Sequence, residues 1–286
     1  MKRLLEHLRT KGVAGYLRYK RAKIQRDRAD RRRALDFYGQ FVKPGDLCFD
    51  VGAHKGGRTE WLLQLGARVV CVEPQPVCAS LLRRRFHRKP VTVVEMAAGD
   101  AEGTATLMVS SLDVVSTLSQ NWIERAAATG RFGAARWEQK IQVPVTTLDK
   151  LIRQHGPPQF VKIDVEGYEL QVLRGLTRPA GSLSFEFVGD NLDLAEDCLR
   201  KLEALGYSQF SYSSGETLAL TLPNWISAAG LMKELRTRVD ALGWGDIYAL
   251  GPATQRRRCR RGSFPAHASF IPLLTAMVRC GDVLIF

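Results

Sequence analysis

Residues 50–57 have the sequence DVGAHKGG, and this stretch decides the fold because an apolar, strand-like run precedes it and a helical pattern follows. Glycine is needed where the backbone takes a positive φ or approaches a ligand closely. A helix that starts directly after such a loop points its first amide donors at the same place. The stretch therefore predicts a β-strand, a ligand-binding loop and an α-helix in succession.

The same alternation of strands and helices continues along the chain and predicts the fold class. Strands are expected at Asp46–Val51, Arg68–Glu73, Val91–Met96, Phe160–Asp164, Leu183–Val188, Tyr207–Tyr212 and Asp246–Leu250, and helices at Thr59–Leu65, Pro76–Phe86, Tyr168–Leu173 and Leu194–Leu205. Such alternation is typical of a parallel sheet covered on both faces. We therefore expect an α/β fold with a seven-stranded, mostly parallel, doubly wound sheet. Sheets of this kind bind ligands beyond the carboxyl ends of their strands, where the strand order reverses.

Two acidic residues beside the loop indicate which nucleotide it binds. Glu73 ends the second strand 21 residues after Gly52, close to the spacing of about 20 residues at which a carboxylate accepts ribose hydroxyls in nucleotide-binding βαβ units. Asp50, at the loop entrance, would repel a phosphate but pair with an ammonium group. The loop also reads G-x-x-x-G in place of the G-x-G-x-x-G of dinucleotide sites. The combination favours S-adenosylmethionine, which carries an ammonium, a sulfonium and no phosphate, over NAD.

Carboxylates are expected to gather at the ends of the fourth and fifth strands. Asp164 and Glu166 are two residues apart in the stretch KIDVEG, and Glu186 lies at the matching end of the next strand. Residues two apart in extended backbone share a face. The cluster is interpreted as catalytic, as metal-binding, or as half of a buried salt-bridge network with Lys162. Glu169, by contrast, is expected on a solvated helix face.

The metal interpretation has its own set of ligands. Asp164, Glu186 and Asp190 would supply oxygen atoms to Mg²⁺, which lowers the pKa of a bound hydroxyl. Asp190 and the adjacent Asn191 are equally suited to cap the helix that follows them. The spacing therefore leaves both interpretations open.

Five motifs, in the right order, resemble the FkbM family of S-adenosylmethionine-dependent methyltransferases. They are FDVGAHKG, VEPQP, VPVTTLD, VKIDVEGYELQVLRG and SFEF, within residues 40–250. The resemblance implies the class I methyltransferase (Rossmann-like) fold and a cytoplasmic location. It also implies S-adenosylmethionine as cofactor and O-methylation of a hydroxyl on a sugar, glycan or polyketide-like metabolite.

The match to the family motifs implies roles for individual residues. Asp50, Gly52 and Gly56 match the cofactor loop of the family, and Glu73 matches its ribose carboxylate. The full set of candidate cofactor residues is Asp50, Gly52, Ala53, His54, Gly56, Glu73 and Asp100. The strand-four motif supplies Asp164 and Glu166 as candidate catalytic residues. The hypothesis is that Asp164, assisted by Glu166, orients the acceptor hydroxyl and removes its proton as the methyl group is transferred.

Positive charge is concentrated at the two ends of the chain. The 286 residues carry a formal net charge of +13; residues 1–35 hold 13 Lys/Arg against 3 Asp/Glu, and residues 251–286 hold 6 Arg against 1 Asp. We therefore expect a basic helical arm at residues 1–35, a methyltransferase domain at residues 36–251, and a basic, mobile tail at residues 252–286. The arm is interpreted either as a solvated helix or as a peripheral contact to an anionic membrane surface.

Two other classes of function remain as alternatives. A nicotinamide-dependent Rossmann oxidoreductase would have the same nucleotide-binding βαβ unit, although the glycine spacing disfavours this class. A nucleic-acid-modifying protein would use the basic ends. The nearly neutral body contains no recognition motif, so no sequence-specific nucleic acid is expected as a partner. The oligomeric state stays open.

Two segments interrupt the alternation and are expected beside the sheet on the substrate side, at residues 104–145 and 213–245. The first, which has a hydroxyl-rich stretch, is interpreted either as a cover for the substrate or as a structural hairpin with a surface helix. Trp122, Trp137 and Tyr168 would either stack on a sugar ring or fill a core.

Cysteine usage favours a reducing compartment. The six cysteines form no C-x-x-C pair, and Cys48 and Cys71 lie in apolar strand-like runs, where they are expected to be small buried hydrophobic residues. The sequence shows neither the apolar core of a signal peptide nor a membrane-spanning run. Cytoplasmic location is the expectation, and ligation of a metal by cysteine is not expected.

Overall fold

The computed structural model describes residues 21, 25, 28–112, 115–130, 133, 135–238 and 243–252. Strands lie at β1 Leu47–Val51, β2 Arg68–Val72, β3 Val91–Val94, β4 Ala97–Ala98, β5 Gly103–Val109, β6 Gln139–Thr146, β7 Phe160–Ile163, β8 Ser182–Val188, β9 Phe210–Ser214 and β10 Trp244–Ala249. Helices lie at α1 28–38, α2 Gly57–Gln64, α3 Pro76–Arg85, α4 Gln120–Thr129, α5 Leu148–His155, α6 Glu169–Arg174, α7 Leu192–Ala204 and α8 Ala228–Thr237.

The main sheet has seven strands in the order β3-β2-β1-β7-β8-β10-β9. Strand β10 runs antiparallel to both β8 and β9, and the other neighbouring strands of this sheet in the described residues pair parallel. This confirms the predicted seven-stranded, mostly parallel, doubly wound sheet. The strand order reverses at β1, which pairs with β2 on one side and with β7 on the other. The ligand-binding edge therefore lies beyond the carboxyl ends of β1 and β7.

The seven predicted strands are all present, with boundaries shifted by at most three residues. The largest shift is at Tyr207, which was expected to begin the sixth strand but lies in the turn before β9. Its hydroxyl donates to the carbonyl of Gly181 at 2.9 Å and accepts from the amide of Ala180 at 3.1 Å. Tyr207 therefore ties this turn to the start of β8, and the strand begins three residues later.

Alternate residues of the strands face two different apolar cores. Phe49 and Val51 of β1 pack with residues of α5 to α8, whereas Cys48 packs with Tyr38 and Leu62 on the side of α1 and α2. The predicted burial of Cys48 and Cys71 is confirmed, because both thiols are free and the residues are 0% exposed. Helices thus cover both faces, as the near-continuous apolar strands require.

The segment 104–145 folds as a hairpin and a helix. Strands β5 and β6 pair antiparallel, and the short β4 joins β6 to form a second, three-stranded sheet that the sequence did not predict. Trp122 of α4 is 6% exposed and meets Trp137 edge-on, with 5.9 Å between ring centroids. These two indole rings therefore fill a small core, and the segment has the form of the structural hairpin.

The segment 213–245 differs in part from its expected place on the substrate side. Helix α8 buries Leu231 and Leu235 completely in the main core, where it packs against α7. An amphipathic helix buries its apolar face wherever it finds a partner, and here the partners are α7 and strand β9. The helical part of the segment therefore completes the core, and the loop before it contacts α2, where Arg58 donates to Glu216 at 2.6 Å.

The two basic ends lie largely outside the described residues. Of the predicted arm, residues 28–35 are helical and continue without a break to residue 38, where Phe37 packs edge-on against Tyr248 with 5.1 Å between ring centroids. Apart from residues 21 and 25, which are also helical, the rest of the arm, with its proposed membrane contact, lies outside the described residues, as does the tail beyond residue 252. Among the described helices, none has both the length and the apolar content to cross a membrane.

Candidate active site

The glycine loop after β1 is held tightly against its neighbours. Gly52 and Gly56 have φ values of 80° and 81°. A Cβ at Gly52 would lie 1.7 Å from the carbonyl oxygen of Asp164, and one at Gly56 would lie 2.4 Å from the ring of Phe86. Only glycine fits either place. The N-cap residue of α2 is Gly56, which has no side chain to accept from the first amides of the helix at the loop edge.

Glu73 lies directly after β2 and faces this loop. The residue is 2% exposed, and its Oε2 accepts from the amide of His54 at 2.7 Å while its Oε1 accepts from the amide of Gln75 at 2.8 Å. Burial raises the pKa of Glu73 to about 7, although the two amide hydrogen bonds oppose the rise. A carboxylate has about four lone-pair positions. Two amides and the side chain of Gln75 donate to Glu73, so the carboxylate retains acceptor capacity for a further hydroxyl.

Asp50 is bonded within the protein. It is 1% exposed, and its Oδ2 accepts from the hydroxyl of Thr59 at 2.5 Å. Burial raises the pKa of Asp50, against the opposing effects of the Thr59 hydrogen bond and of Lys162. The observed role of this carboxylate is therefore to join β1 to α2. Its pairing with an ammonium group stays a prediction, and the sequence missed Thr59 as its partner.

The remaining candidate cofactor residues lie along the same edge. Ala53 is 5% exposed, and its amide donates to the carbonyl of Val72 at 3.2 Å. His54 adopts a φ of 47°, which turns its amide toward Glu73. Asp100 is exposed after β4, and its charge adds to burial in raising the pKa of Tyr168. Asp100 and Tyr168 therefore share one region of the edge.

Lys162 anchors a buried charge network at the end of β7. Its ammonium lies 2.8 Å from Oδ1 of Asp246 and 3.2 Å from Oδ2 of Asp164. Burial disfavours the charged lysine, but Asp164 and Asp246 outweigh it and raise its pKa. The predicted salt bridge between Lys162 and Asp164 is thus present. Asp246 was not predicted as a partner, because it lies 84 residues along the chain and only the sheet brings it near.

Asp164, Glu166 and Glu186 form the carboxylate cluster at this edge, with one oxygen of each within 4.8 Å of the others. Burial alone would raise the pKa of Asp164, but the charges of Lys162 and Arg58, with the hydrogen bond from Lys162, together outweigh burial and lower it. Burial, followed by the charges of Glu166 and Asp164, raises the pKa of Glu186 well above its ordinary range. The cluster therefore combines Asp164, whose surroundings favour the ionised form, with Glu186, whose surroundings favour the protonated form.

Asp190 does not join this cluster. It lies in a short 3-10 turn at Gly189–Asn191, and its backbone carbonyl accepts from Arg125 at 3.3 Å. The oxygen-ligand set that the structure brings together is Asp164, Glu166 and Glu186, with Glu166 where the sequence had suggested Asp190. Asn191 occupies the N-cap position of α7, as the alternative expects, but its side chain makes no capping hydrogen bond.

A strained turn presents Glu166 to the cluster. Glu166 has a φ of 54° and Gly167 one of 85°; strain of this kind persists only where surrounding contacts impose it. The hydroxyl of Thr117 donates to the carbonyl of Glu166 at 2.6 Å, and a Cβ at Gly167 would lie 2.3 Å from Trp122. The hairpin segment therefore supports the turn that carries a candidate catalytic residue.

Glu169 stabilises the same turn. The expectation that Glu169 lies on a solvated helix face is wrong. The residue is 2% exposed, and its Oε1 accepts from the amides of Val165 and Gly167, both at 3.2 Å. Burial raises its pKa to about 7. These two amides lie in the loop before α6 and need an acceptor when they are buried. The side chain of Glu169 supplies it and therefore turns inward instead of facing solvent.

Comparison with known proteins identifies related sequences. The sequence model of the methyltransferase FkbM domain matches residues 50–208. A curated relative, the hexuronic acid methyltransferase AglP of Haloferax volcanii, is 26% identical over 145 residues, which are 50% of this chain and 55% of that protein. The chain thus matches about half the length of this relative.

Similar solved structures include two methyltransferases. Precorrin-6y C5,15-methyltransferase from Geobacter metallireducens is 14% identical with a TM-score of 0.38, and the match covers 77% of this chain and 86% of that chain. A TehB-like S-adenosylmethionine-dependent methyltransferase from Corynebacterium glutamicum is 11% identical with a TM-score of 0.40, covering 82% and 98%. The class I methyltransferase fold expected from the sequence is confirmed, since the strand order and the family match agree on it.

Proposed function

The chain belongs to the FkbM family of methyltransferases, and from this premise we propose that it O-methylates a hydroxyl of a sugar or glycan with S-adenosylmethionine as the donor. The observation that carries the proposal is the carboxylate cluster at the end of β7, directly beside the glycine loop. The name of the Haloferax volcanii relative, a hexuronic acid methyltransferase, supports a sugar acceptor. A polyketide-like acceptor is the alternative within the same chemistry.

The proposed cofactor site uses the carboxyl ends of β1 and β2 and the turn after β4. Glu73 would accept the ribose hydroxyls, and Asp100 would lie at the base end of the adenosine. The amides of the loop from Gly52 to Gly56 would line the methionine part, with the charge of Asp50 near its ammonium group. The residues fit S-adenosylmethionine better than a dinucleotide, because the charge of Asp50 at the loop and the G-x-x-x-G spacing disfavour a pyrophosphate.

The proposed chemistry is an in-line displacement at the methyl carbon. The sulfonium supplies an activated methyl group, so the protein has to align the acceptor oxygen and receive its proton. Ionised Asp164 would accept a hydrogen bond from the hydroxyl and take the proton as the new C–O bond forms and the C–S bond breaks. Lys162 keeps Asp164 ionised and fixes one of its oxygens. Glu166 would assist in orienting the hydroxyl.

Mg²⁺ is the mechanistic alternative. Asp164, Glu166 and Glu186 have the oxygen chemistry and the spacing to hold it, and bound Mg²⁺ would lower the pKa of the acceptor hydroxyl. Because the pKa of Glu186 is raised, binding would have to release a proton. Metal-dependent activity should therefore weaken as the pH falls and disappear on exhaustive chelation; activity that survives chelation supports the proton-transfer mechanism.

The test of the proposed function is a transfer assay with methyl-labelled S-adenosylmethionine. Acceptors would be a hexuronate glycoside, the matching neutral hexose glycoside, and a hydroxylated macrolactone. We expect alkali-stable label in one or both sugars, as an O-methyl ether requires. Label in the macrolactone alone would contradict the sugar assignment, and cofactor binding without transfer to any hydroxyl would contradict O-methylation. NADH and duplex RNA are included as ligands for the two other classes of function.

Binding of S-adenosylhomocysteine is expected to tighten as the pH rises through the pKa of Glu73, which is about 7. Below that pH the carboxyl group is protonated and loses acceptor capacity for the ribose hydroxyls; above it the carboxylate is available. By linkage, Kd should fall by up to about tenfold per pH unit below pH 7 and level off above it. Isothermal titration between pH 5.5 and 8.5 measures this.

The control for this prediction is Glu73→Gln, which retains the shape of the side chain but has no carboxylate to ionise. We expect this variant to bind more weakly at pH 8 and to show little dependence on pH across this range. Equal affinity in the variant and the natural protein would remove Glu73 from the cofactor site.

A further inference from the structure

We propose that Arg58 binds a carboxylate of the acceptor, so that the enzyme selects acidic sugars, and that Glu216 holds the guanidinium until the acceptor arrives. The inference rests on the proposed function, since it assigns a substrate class to the same site. Arg58 follows directly after the glycine loop, as the second residue of α2. It therefore lies at the edge where methyl transfer would occur.

The guanidinium of Arg58 is held in a fixed place but has unused donors. Its side chain is 19% exposed, and its Cζ lies 4.9 Å from the ring centroid of Trp61. Nη2 donates to both carboxylate oxygens of Glu216, at 2.6 and 2.7 Å. Within the described residues, no hydrogen bond from Nε or Nη1 is present. A guanidinium has five N–H donors, so this one has the capacity for a second anion.

Glu216 is the exposed member of the pair. Its side chain is 54% exposed, and it lies 158 residues away in sequence, just after β9. Exposed ion pairs contribute little to stability because both charges remain partly solvated. A carboxylate on an acceptor can therefore replace or join Glu216 at small cost. The observed contact shows that a carboxylate fits against Arg58 in the folded protein.

An acidic acceptor needs a cation at this edge, because the cluster of Asp164, Glu166 and Glu186 would otherwise repel it. Lys162 cannot serve, since it is 1% exposed and already bonded to two carboxylates. Arg58 is partly exposed and its charge reaches the cluster, where it assists Lys162, against burial, in lowering the pKa of Asp164. Arginine is also the side chain best suited to carboxylates.

Steady-state kinetics with the hexuronate glycoside and its neutral hexose counterpart test the proposal. Arg58→Gln is expected to raise KM for the hexuronate by about 10- to 100-fold, as for the loss of a charged hydrogen-bonded contact, and to leave KM for the neutral sugar within about twofold. Glu216→Gln is expected to keep or lower KM for the hexuronate. Arg200→Gln, which breaks an exposed ion pair with Glu196 on α7, is the matched control and should change neither.

The outcomes separate this inference from the proposed function. If Arg58→Gln raises KM equally for both sugars, while S-adenosylhomocysteine affinity and thermal unfolding stay unchanged, Arg58 has a general role. That result would overturn the inference. Methylation of the neutral sugar but not the hexuronate by the natural protein would do the same while leaving sugar O-methylation intact. Methylation of neither sugar would remove the proposed function itself.

Discussion

Replacing Asp164 by Asn is expected to reduce kcat by about 10²- to 10⁴-fold, the contribution typical of a positioned proton acceptor. Asparagine has the same shape and can still accept a hydrogen bond from Lys162, which lies 3.2 Å from Oδ2. It cannot take a proton from the acceptor hydroxyl. The fold should therefore survive, because Lys162 retains Asp246 at 2.8 Å, and only the transfer step should slow.

The measurement for this prediction is single-turnover methyl transfer with the acceptor that the natural protein uses, beside calorimetric binding of S-adenosylhomocysteine. Cofactor affinity should stay within about threefold. Asp190→Asn is the matched control, because Asp190 lies outside the carboxylate cluster, and its turnover should remain unchanged. Full turnover in Asp164→Asn would remove Asp164 as the base. A large loss of turnover in Asp190→Asn would instead support the metal-ligand set that the sequence suggested, which includes Asp190.

Replacing Gly52 by Ala is expected to prevent stable folding, with a loss of more than about 4 kcal/mol in the free energy of unfolding, the range of exceptional single substitutions. The added Cβ would lie 1.7 Å from the carbonyl oxygen of Asp164. Neither backbone can move away easily, since the amide of Asp164 donates to the carbonyl of Val51 at 2.9 Å in the β1–β7 ladder. The φ of 80° adds the cost of a left-handed alanine.

Gly57→Ala is the control within the same loop. A Cβ at Gly57 would meet nothing within 4 Å, and Gly57 is the first residue of α2. Alanine should be neutral or stabilise the helix by up to about 1 kcal/mol. Denaturant unfolding of both variants measures the difference. A Gly52→Ala protein that unfolds at the same denaturant concentration as the natural protein would show that the close approach of the loop to Asp164 is not needed.

The candidate site was predictable where local pattern carries the information. Gly52 and Glu73 stand at the ends of two adjacent strands, and parallel strands bring their carboxyl ends to one edge. Asp164 and Glu186 follow the same rule on the next pair of strands. The sequence could not show that Glu169 turns inward or that Asp190 stays outside the cluster, because those outcomes depend on a strained turn at Glu166 and a 3-10 turn after β8.

The sequence by itself determined the seven strands of the main sheet, the edge expected to bind the ligand, and the family. These follow from apolar periodicity and glycine placement, which act over a few residues. Only the tertiary structure decided which charges meet: Lys162 with Asp246 across 84 positions, and Arg58 with Glu216 across 158. Such pairs form because sheet register and loop packing place distant residues side by side, and no pattern of neighbouring residues encodes that distance.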